Sequence, residues 1–423
     1  MEMSFVKIAV VGAGCRGRGY TDIIASHFEE ARVVAVAEPR DHYRTTMALK
    51  HSIKPELCFE DWKHLAQKPK LADAVIIATP DNEHTEPAIA FANLGYHILL
   101  EKPMAQTEQQ CRDIAQAVLK NNIIFAVCHV LRYTSYTQQL RAIIDAGLIG
   151  DIISIQHLEP LGYWHQAHSY VRGNWRNERE STFMLMAKSC HDLDWLRYIV
   201  GCRCDKISSF GSLKHFTASQ KPKGASSRCI TCGCETQCPY SAKKIYMERA
   251  QRGEFEWPVD IITSDLTIDG VEKALRDGPY GRCVYECDND VVDNQIVNIL
   301  FENGVTVGFT MTAFTEASDR KTRIFGSRGE IYGNGSIIKR YDFLSDKTTE
   351  IDVTKSDGTI NTGHGGGDFG LIKSFITALS KNDKSYILSG VSETLESHLM
   401  VFAAEKARRQ SCVVECSKGG TII

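Results

Sequence analysis

The sequence predicts an α/β protein in which a parallel, doubly wound sheet is followed by a second, α+β domain with a mostly antiparallel sheet. Short apolar runs alternate with amphipathic stretches over residues 5–128, which is typical of strand–helix–strand units. After about residue 130, paired strands with glycine turns replace that rhythm. Because 423 residues exceed one ordinary core, we expect two domains, 1–130 and 131–423.

The first domain is predicted from five strands and the helices between them. The apolar runs predict strands at residues 6–12, 32–38, 72–79, 96–102 and 123–129. Helical periodicity predicts helices at 83–95 and 107–121. Thr107 precedes the second helix, where a threonine hydroxyl can cap the first free backbone amides.

The second domain is predicted from strand pairs enclosed by helices. A strand is expected at 151–160, and strand pairs at 295–314 and 321–343. Their turns are predicted at Glu302–Gly304, Ser327–Gly329 and Asn334–Gly335. Helices are expected at 134–147, 186–200, 368–380 and 391–409. Residues 214–292 are irregular and contain a cluster of cysteines.

Charge and hydropathy exclude several classes of partner. A net charge of −3 gives no reason to expect nucleic acid or an anionic membrane. No apolar run reaches the roughly 18 residues that span a bilayer. The N-terminal stretch enters a strand at once and lacks the regions of a signal peptide. We therefore expect a cytoplasmic protein whose 15 cysteines are reduced thiols or metal ligands.

Three glycines after the first predicted strand form a dinucleotide-binding motif. Gly12, Gly14 and Gly17 give G-x-G-x-x-G, with Cys15 and Arg16 inside it. In this strand–turn–helix context the motif predicts a Rossmann domain, with the pyrophosphate at the helix N-terminus. Glu38 ends the second strand and favours NAD over NADP by binding ribose hydroxyls, whereas the nearby Arg40 and Arg44 leave NADP possible.

A Glu-Lys-Pro sequence follows the strand at 96–100. Ligands of open α/β sheets bind beyond the carboxyl ends of the strands, so Glu101 and Lys102 are expected to face the cofactor cleft. Pro103 permits a cis peptide bond at modest cost. A partly buried lysine can donate or accept a proton, although a surface lysine beside a loop proline fits the spacing equally well.

Four motifs together give a family resemblance over essentially the whole chain. The glycine motif, "TPDNEH" (79–84), "EKP" (101–103) and "CHDLDWL" (190–196) occur in the order seen in the Gfo/Idh/MocA oxidoreductases. The resemblance implies a Rossmann domain, a C-terminal domain with a large open sheet, and a homodimer or homotetramer. It implies hydride transfer between NAD(P) and a carbinol of a sugar, cyclitol or related small molecule. It also adds Thr79, Pro80, Asn82 and His84 to the predicted cofactor site.

The resemblance assigns the family's catalytic lysine to Lys102 and its histidine to His191. An aspartate that many members carry four positions before the histidine is replaced here by Ala187. Lys188 stands three residues before His191, so on one helix both would share a face. We expect His191 to take the hydroxyl proton, Lys102 to polarise the oxygen, and Lys188 to supply part of the missing function.

A segment dense in aromatic and polar residues is predicted to bind the substrate, because sugars combine aromatic contact with hydroxyl hydrogen bonds. The alternative is a loop that packs on the sheet. The candidates are Tyr163, His165, His168, Arg172, Asn174 and Trp175, joined by Arg132. A second candidate is the glycine-rich stretch before the helix at 368, with His364 and Asp368. The alternative is that these glycines only allow the chain to enter the helix.

The cysteines at 228–242 leave metal and thiol interpretations open. Cys229, Cys232, Cys234 and Cys238 lack one residue of the usual ferredoxin spacing, which disfavours an iron–sulfur cluster. A branch of the resembled family carries C-x2-C-x5-C-P-Y, which corresponds to Cys229, Cys232 and Cys238. A closed structural zinc site would take Cys283, or else Cys234 or Cys287, as its fourth ligand. Free reduced thiols are the alternative.

These inferences leave three functions open. The first is an NAD(P)-dependent oxidoreductase acting on a sugar, cyclitol or glycoside. The second is redox-neutral glycoside cleavage by oxidation, elimination of the aglycone and return of the hydride. The third is a non-catalytic dinucleotide-binding sensor, which the replacement at Ala187 favours and the retention of Lys102 and His191 opposes.

Overall fold

A computed structural model describes residues 5–354 and 365–416 of the chain. The first domain contains a six-stranded parallel sheet in the order β3-β2-β1-β4-β5-β6. Its strands are β1 (Val6–Val11), β2 (Ala31–Ala37), β3 (Cys58–Phe59), β4 (Ala74–Ile77), β5 (His97–Leu100) and β6 (Phe125–Val127). The predicted doubly wound sheet is confirmed; the two-residue β3 was not predicted, because a strand this short has no readable periodicity.

Helices cover both faces of this sheet, since every strand buries side chains on both sides. Ile8 and Val10 belong to one core, and Ala9 and Val11 to the core on the opposite face. The helices are α1 (Cys15–His27), α2 (Asp41–Lys50), α3 (Trp62–Ala66), α4 (Thr85–Asn93) and α5 (Glu108–Lys120). Thr107 caps α5 as predicted, and its hydroxyl and the Gln110 side chain form a capping box.

The second domain contains a nine-stranded sheet in the order β14-β13-β12-β11-β7-β10-β9-β8-β15. β7 and β10 are parallel and the other neighbours are antiparallel, which confirms the predicted sheet type. Its strands are β7 (Ile152–Pro160), β8 (Cys204–Ser212), β9 (Asn294–Phe301), β10 (Thr306–Thr312), β11 (Lys321–Gly326), β12 (Gly329–Gly333), β13 (Ile337–Asp342), β14 (Lys347–Asp352) and β15 (Val414–Glu415).

Helices of the second domain pack on one face of that sheet. The early ones are α6 (Ser135–Asp145), α7 (Tyr163–His165), α8 (Met184–Ala187) and α9 (Cys190–Val200). A single helix at 186–200 was expected, but the backbone turns at Lys188 and Ser189 and divides it into α8 and α9. The division matters for the site, because Lys188 and His191 do not belong to one helix.

The irregular segment at 214–292 builds a small core of its own. It contains the short helices α10 (Glu248–Gln251), α11 (Val259–Ile262) and α12 (Ile268–Asp277). Phe216, Tyr246 and Val271 pack there with Ala167 and Val171, which belong to the chain just after β7. The segment is therefore fastened to the end of β7.

The last two helices return to the first domain. They are α13 (Gly367–Lys381) and α14 (Val391–Gln410). Leu371, Ile372 and Phe375 of α13 complete the Rossmann core beside α1, and Leu395 of α14 enters the core on the opposite face. A domain boundary at residue 130 therefore separates α13 and α14 from the Rossmann core that they help to form. No helix in the described part of the chain is long and apolar enough to cross a membrane.

Candidate functional site

The glycine turn after β1 leaves one surface open at the N-terminus of α1. A Cβ at Gly12 would lie 2.5 Å from the Ala78 oxygen, and one at Gly17 would lie 2.0 Å from the Gly12 oxygen. Backbone packing therefore requires both glycines. A Cβ at Gly14 would meet only Arg40 Nη2, at 3.6 Å. This open surface fits a pyrophosphate above the free amides of the helix start.

Glu38 lies at the end of β2 beside this turn. Its Oε2 accepts from the Ala13 amide at 2.7 Å, and its Oε1 accepts from Arg40 Nε at 2.6 Å. Burial by itself raises the pKa of Glu38, but the bonds from Arg40 and Ala13 outweigh it and lower that pKa. The carboxylate is thus ionised where an adenosine ribose would lie. Arg44 instead donates to the carbonyl oxygen of Glu38 at 2.6 Å.

Arg16 joins the glycine turn to two buried carboxylates. Its Nε donates to Glu101 Oε1 and its Nη2 to Asp368 Oδ1, each at 2.6 Å, and Tyr20 also donates to Glu101. Burial raises the pKa of Glu101, yet Arg16 and Lys102 lower it overall. The carboxylate of Asp368, which was predicted to bind substrate, is bonded to Arg16. His364 lies outside the described residues.

The loops after β4 and β5 are held together by His84. Its Nδ1 lies 2.7 Å from the Pro103 oxygen and its Nε2 lies 3.0 Å from the Thr79 oxygen. Since this ring is fully buried, the prediction that it binds cofactor is replaced by a supporting role. Thr79, Pro80 and Asn82 remain partly or fully accessible at the carboxyl end of β4.

Lys102 crosses from the first domain to the second. It follows β5, its peptide bond to Pro103 is cis, and its Nζ donates to the Ala187 oxygen at 2.7 Å. Ala187 is the residue that replaces the expected aspartate. A backbone carbonyl therefore orients the lysine ammonium at the place where the sequence lacks a carboxylate.

Lys188 stands next in the chain, in a group of four charges. Its Nζ lies 3.2 Å from Glu159 Oε1, and Arg320 Nε lies 2.7 Å from Glu159 Oε2 and 2.8 Å from Asp192 Oδ1. Burial lowers the pKa of Lys188, Glu159 opposes this, and Arg320 and Lys102 lower it further. This ammonium therefore releases its proton more readily than an ordinary lysine.

His191 lies in the first turn of α9 and is nearly buried. Its ring centre is 5.7 Å from that of His129, which packs in turn against His398. Burial lowers the pKa of His129 to about 3, so His129 is a neutral neighbour at physiological pH. Lys102, Lys188 and His191 are thus brought to one junction.

Of the predicted substrate residues, some lie near this junction and others serve the fold. His165 is partly exposed, and burial together with the charges of Lys188, His168 and Lys102 holds its pKa well below the usual range. Tyr163 and Asn174 are exposed. Trp175 Nε1 donates to Asp81 at 3.1 Å, which connects this segment to the loop after β4.

Three other predicted substrate residues are buried and make internal contacts, which argues against their assignment to the substrate. Arg132 is buried in a bidentate pair with Asp194, both bonds being 2.7 Å. Arg172 is buried and donates to the backbone oxygens of Arg282 and Tyr240. His168 is bonded to the Tyr246 hydroxyl at 2.8 Å. A buried arginine needs a counter-charge or hydrogen-bond acceptors, which Asp194 supplies to Arg132 and backbone carbonyls supply to Arg172.

Sequence reasoning missed Glu159 and Arg320. Glu159 is a buried carboxylate on β7, and Arg320 lies between β10 and β11, 161 positions further along the chain by subtraction. A charged residue inside a predicted buried strand was the one available signal for Glu159. Arg320 had none, because only the pairing of β7 with β10 and β11 brings it to this end.

The cysteine segment does not form the predicted zinc site. Cys229, Cys232, Cys238 and Cys283 line one cavity of about 310 Å³ together with Cys234. Yet no group of three or more His, Cys, Asp or Glu side chains within residues 5–354 and 365–416 is arranged to hold a metal ion. Cys229 Sγ instead accepts from Arg172 Nη2 at 3.4 Å, and Cys287 donates to the Cys283 oxygen.

Comparison with known families identifies the chain. Residues 6–129 match the oxidoreductase family with an NAD-binding Rossmann fold (GFO_IDH_MocA), and residues 141–415 match the C-terminal alpha/beta domain of the same family. The chain belongs to the Gfo/Idh/MocA oxidoreductases and carries their NAD-binding domain. The predicted membership is confirmed.

Relatives with named activities are similar over part of their length. The chain is 26% identical over 216 residues to a scyllo-inositol 2-dehydrogenase (NAD(+)) of Bacillus subtilis, covering 49% of this chain and 58% of that protein. It is 26% identical over 209 residues to a 2,7-anhydro-N-acetylneuraminate hydratase of Mediterraneibacter gnavus, covering 49% and 53%. These alignments therefore span little more than half of each relative.

The fold is shared with solved structures over nearly the whole chain. A levoglucosan dehydrogenase in complex with NADH and levoglucosan superposes with a TM-score of 0.70. The two chains are 18% identical, and the match covers 97% of this chain and 98% of that one. At this identity the likeness establishes the architecture.

Proposed function

We propose that this protein is an NAD-dependent oxidoreductase that transfers a hydride between nicotinamide and a carbinol carbon of a sugar, cyclitol or glycoside. The observation that carries the proposal is the convergence of Lys102, Lys188 and His191 beyond the carboxyl ends of the parallel strands. Ligands of open α/β sheets bind in that position. Relatives named for inositol and levoglucosan support the substrate class.

The dinucleotide fits the residues at the first domain's edge. Its pyrophosphate would lie over the open surface at Gly14, with Cys15 and Arg16 in the first turn of α1. Its adenosine ribose would lie beside Glu38, whose buried negative charge repels a 2′-phosphate and so favours NAD over NADP. When bound, the nicotinamide supplies the hydride acceptor or donor.

The chain's own residues would handle the proton and the oxygen. Lys102, oriented by the Ala187 carbonyl, would donate a hydrogen bond to the carbinol oxygen. His191 would take the hydroxyl proton during oxidation. Lys188, with its lowered pKa, would exchange that proton while Glu159 holds its side chain. In this way Lys188 would replace part of what the missing aspartate does.

Redox-neutral chemistry is the second candidate, and the hydratase relatives favour it. Oxidation of a glycoside at C3 acidifies the C2 proton, which permits elimination of the aglycone from C1. Water then adds to the resulting enone at C1, and return of the hydride from NADH to C3 restores NAD, so that the net reaction is hydrolysis. The same Lys102 and His191 would serve both the redox and the elimination steps.

One experiment separates these activities and tests the site. Purified protein with NAD is screened against sugars, inositols and glycosides, following NADH absorbance and, in parallel, product release without added cofactor. Net NADH formation indicates a dehydrogenase, and release with no net NADH indicates the redox-neutral reaction. Lys102→Ala is expected to abolish either one while NAD binding persists, and Lys50→Ala, on the exposed end of α2, serves as the matched control.

An active Lys102→Ala variant would remove the basis of the proposal. Absence of turnover with every compound, combined with tight NAD binding, would favour the dinucleotide sensor instead. A homodimer or homotetramer remains our prediction for the quaternary structure, and light scattering during gel filtration measures it directly.

A further inference from the structure

The irregular segment at 214–292 brings an exposed tryptophan against the chain just after β7. Trp257 directly precedes Pro258 and α11, and 42% of its surface is exposed. Its ring centre lies 5.1 Å from Trp164, 5.1 Å from His165 and 5.5 Å from His168. Because Trp164 and His165 belong to α7, just after β7, the tryptophan is placed at the carboxyl end of that strand.

The neighbours of Trp257 hold its ring in position. His168, packed edge-on against it, is itself buried, bonded to Tyr246 and stacked on Tyr280 at 5.1 Å. Val259, two residues after the tryptophan, is fully buried in the small core. The ring therefore combines an accessible surface with a rigid base, which is what an aromatic binding platform needs.

Two contacts connect this platform to the proposed reaction. On β7, Glu159 lies 3.2 Å from Lys188 Nζ, and the aromatic residues of α7 follow it at the same end of the strand. On α11, Asp260 Oδ2 lies 4.0 Å from Arg18 Nη2 in the helix that begins at the glycine turn. Trp257 thus belongs to a segment that contacts both the aromatic residues after β7 and the helix α1.

We propose that Trp257, with Trp164 and His165, forms an aromatic subsite for the substituent of a glycoside, an aglycone ring or second sugar, whose carbinol reaches Lys102. The inference rests on the proposed function. Aromatic faces bind aryl rings and the C–H faces of pyranoses. Because Trp257 is the exposed member of this group, we assign it to the outer part of the ligand. The subsite selects substituted pyranosides over free cyclitols.

Binding of matched glycoside pairs tests the subsite independently of turnover. The probes are methyl and phenyl D-glucopyranosides and D-galactopyranosides, each as both anomers, titrated calorimetrically into the NADH-loaded protein. In at least one pair we expect the phenyl member to bind about fivefold more tightly, the size expected of one aromatic contact. Trp257→Ala and Trp257→Gln should abolish the preference, and Trp257→Phe should retain most of it.

The control is Phe343→Ala, which removes an exposed aromatic ring just after β13 in the far part of the second sheet. Equal affinity for methyl and phenyl members in every pair, or a phenyl preference that survives in both Trp257→Ala and Trp257→Gln, overturns the subsite. NADH fluorescence and circular dichroism identify a variant that has failed to fold, and Trp257→Gln leaves a smaller void than Trp257→Ala for that case. If the phenyl preference depends on Trp257 but no glycoside reduces NAD, the proposed dehydrogenase activity is refuted and the aromatic subsite is not.

Discussion

Removing one partner of the buried pair of Arg132 and Asp194, where the two domains meet, should destabilise the protein strongly. Both residues are 1% exposed, and the pair makes two bonds of 2.7 Å. Ser397 of α14 also donates to Asp194 at 2.8 Å. Asp194→Ala would leave a buried guanidinium without its counter-charge, which costs about 3–5 kcal/mol. At roughly 2 °C per kcal/mol for a chain of this size, the melting temperature should fall by about 6–10 °C.

Thermal unfolding of three variants isolates the charge effect. The double variant Arg132→Met/Asp194→Leu removes both charges and should recover most of the loss. Arg276→Ala breaks the exposed pair with Glu272 on α12 and should cost under about 1 kcal/mol. A loss for Asp194→Ala no larger than that of Arg276→Ala would show that water reaches Arg132 and would refute the reasoning.

The same pair has a defined pH dependence. Burial raises the pKa of Asp194, but Arg132 and His129 outweigh it, so the net pKa is lowered. A carboxylate with a depressed pKa stabilises the fold above its unfolded pKa of about 4 and loses that contribution as the pH falls through its folded value. The difference in melting temperature between the wild type and Asp194→Ala should therefore stay constant from pH 8 to pH 5.

Three further predictions concern the cofactor site and the buried histidines. Gly14→Ala should fold normally and lose NAD affinity by tenfold or more, as measured by titration. Gly17→Ala should instead lower the melting temperature, because its Cβ would lie 2.0 Å from the Gly12 oxygen. Equal melting temperatures for these two variants would contradict this prediction. Glu38→Ser should shift the NAD-to-NADP affinity ratio towards NADP by at least tenfold, and an unchanged ratio would remove Glu38 from ribose recognition. Burial lowers the pKa of His168 to about 3 and that of His398 to about 4, so both rings are neutral in the native state. Their contribution to stability is complete above pH 6.5 and is lost as the pH falls towards 4. His398→Gln should reduce the slope of the free energy of unfolding against pH, near pH 5, by about 1.4 kcal/mol per pH unit. His42→Gln, at an exposed position, is the control. An unchanged slope for His398→Gln would place the His398 ring in contact with solvent.

Much of the fold could be predicted from local pattern. The apolar runs in the first domain, the Thr107 cap and the turn at Glu302–Gly304 depend on neighbours close in sequence, and each was found where expected. The division of the helix at Lys188 was not predictable. Hydrophobic residues continue in the sequence on both sides of Lys188. The position at which the helix divides depends instead on how the backbone turn packs in the folded protein.

Candidate site residues could be named where they belong to a contiguous motif. Gly12, Gly14, Gly17 and Lys102 are such residues, and their roles stay predictions. Polar residues outside a motif were harder to assign, because a sequence does not show whether an arginine or histidine faces a ligand or a buried partner. Arg132 and Arg172 have the composition of binding residues, yet carboxylate and carbonyl partners from distant elements occupy them.

By itself the sequence determined the family, the order of the domains, the nucleotide-binding turn and the lysine and histidine at the junction. Those features depend on backbone conformation and short spacing, which neighbouring residues specify. Only the tertiary structure decided that the Ala187 carbonyl orients Lys102 and that Arg320 and Glu159 surround Lys188. It also decided that Trp257, from the irregular segment, packs against Trp164 and His165. Charges and rings that are distant along the chain interact through space, and their energies depend on distances and burial that only the folded protein defines.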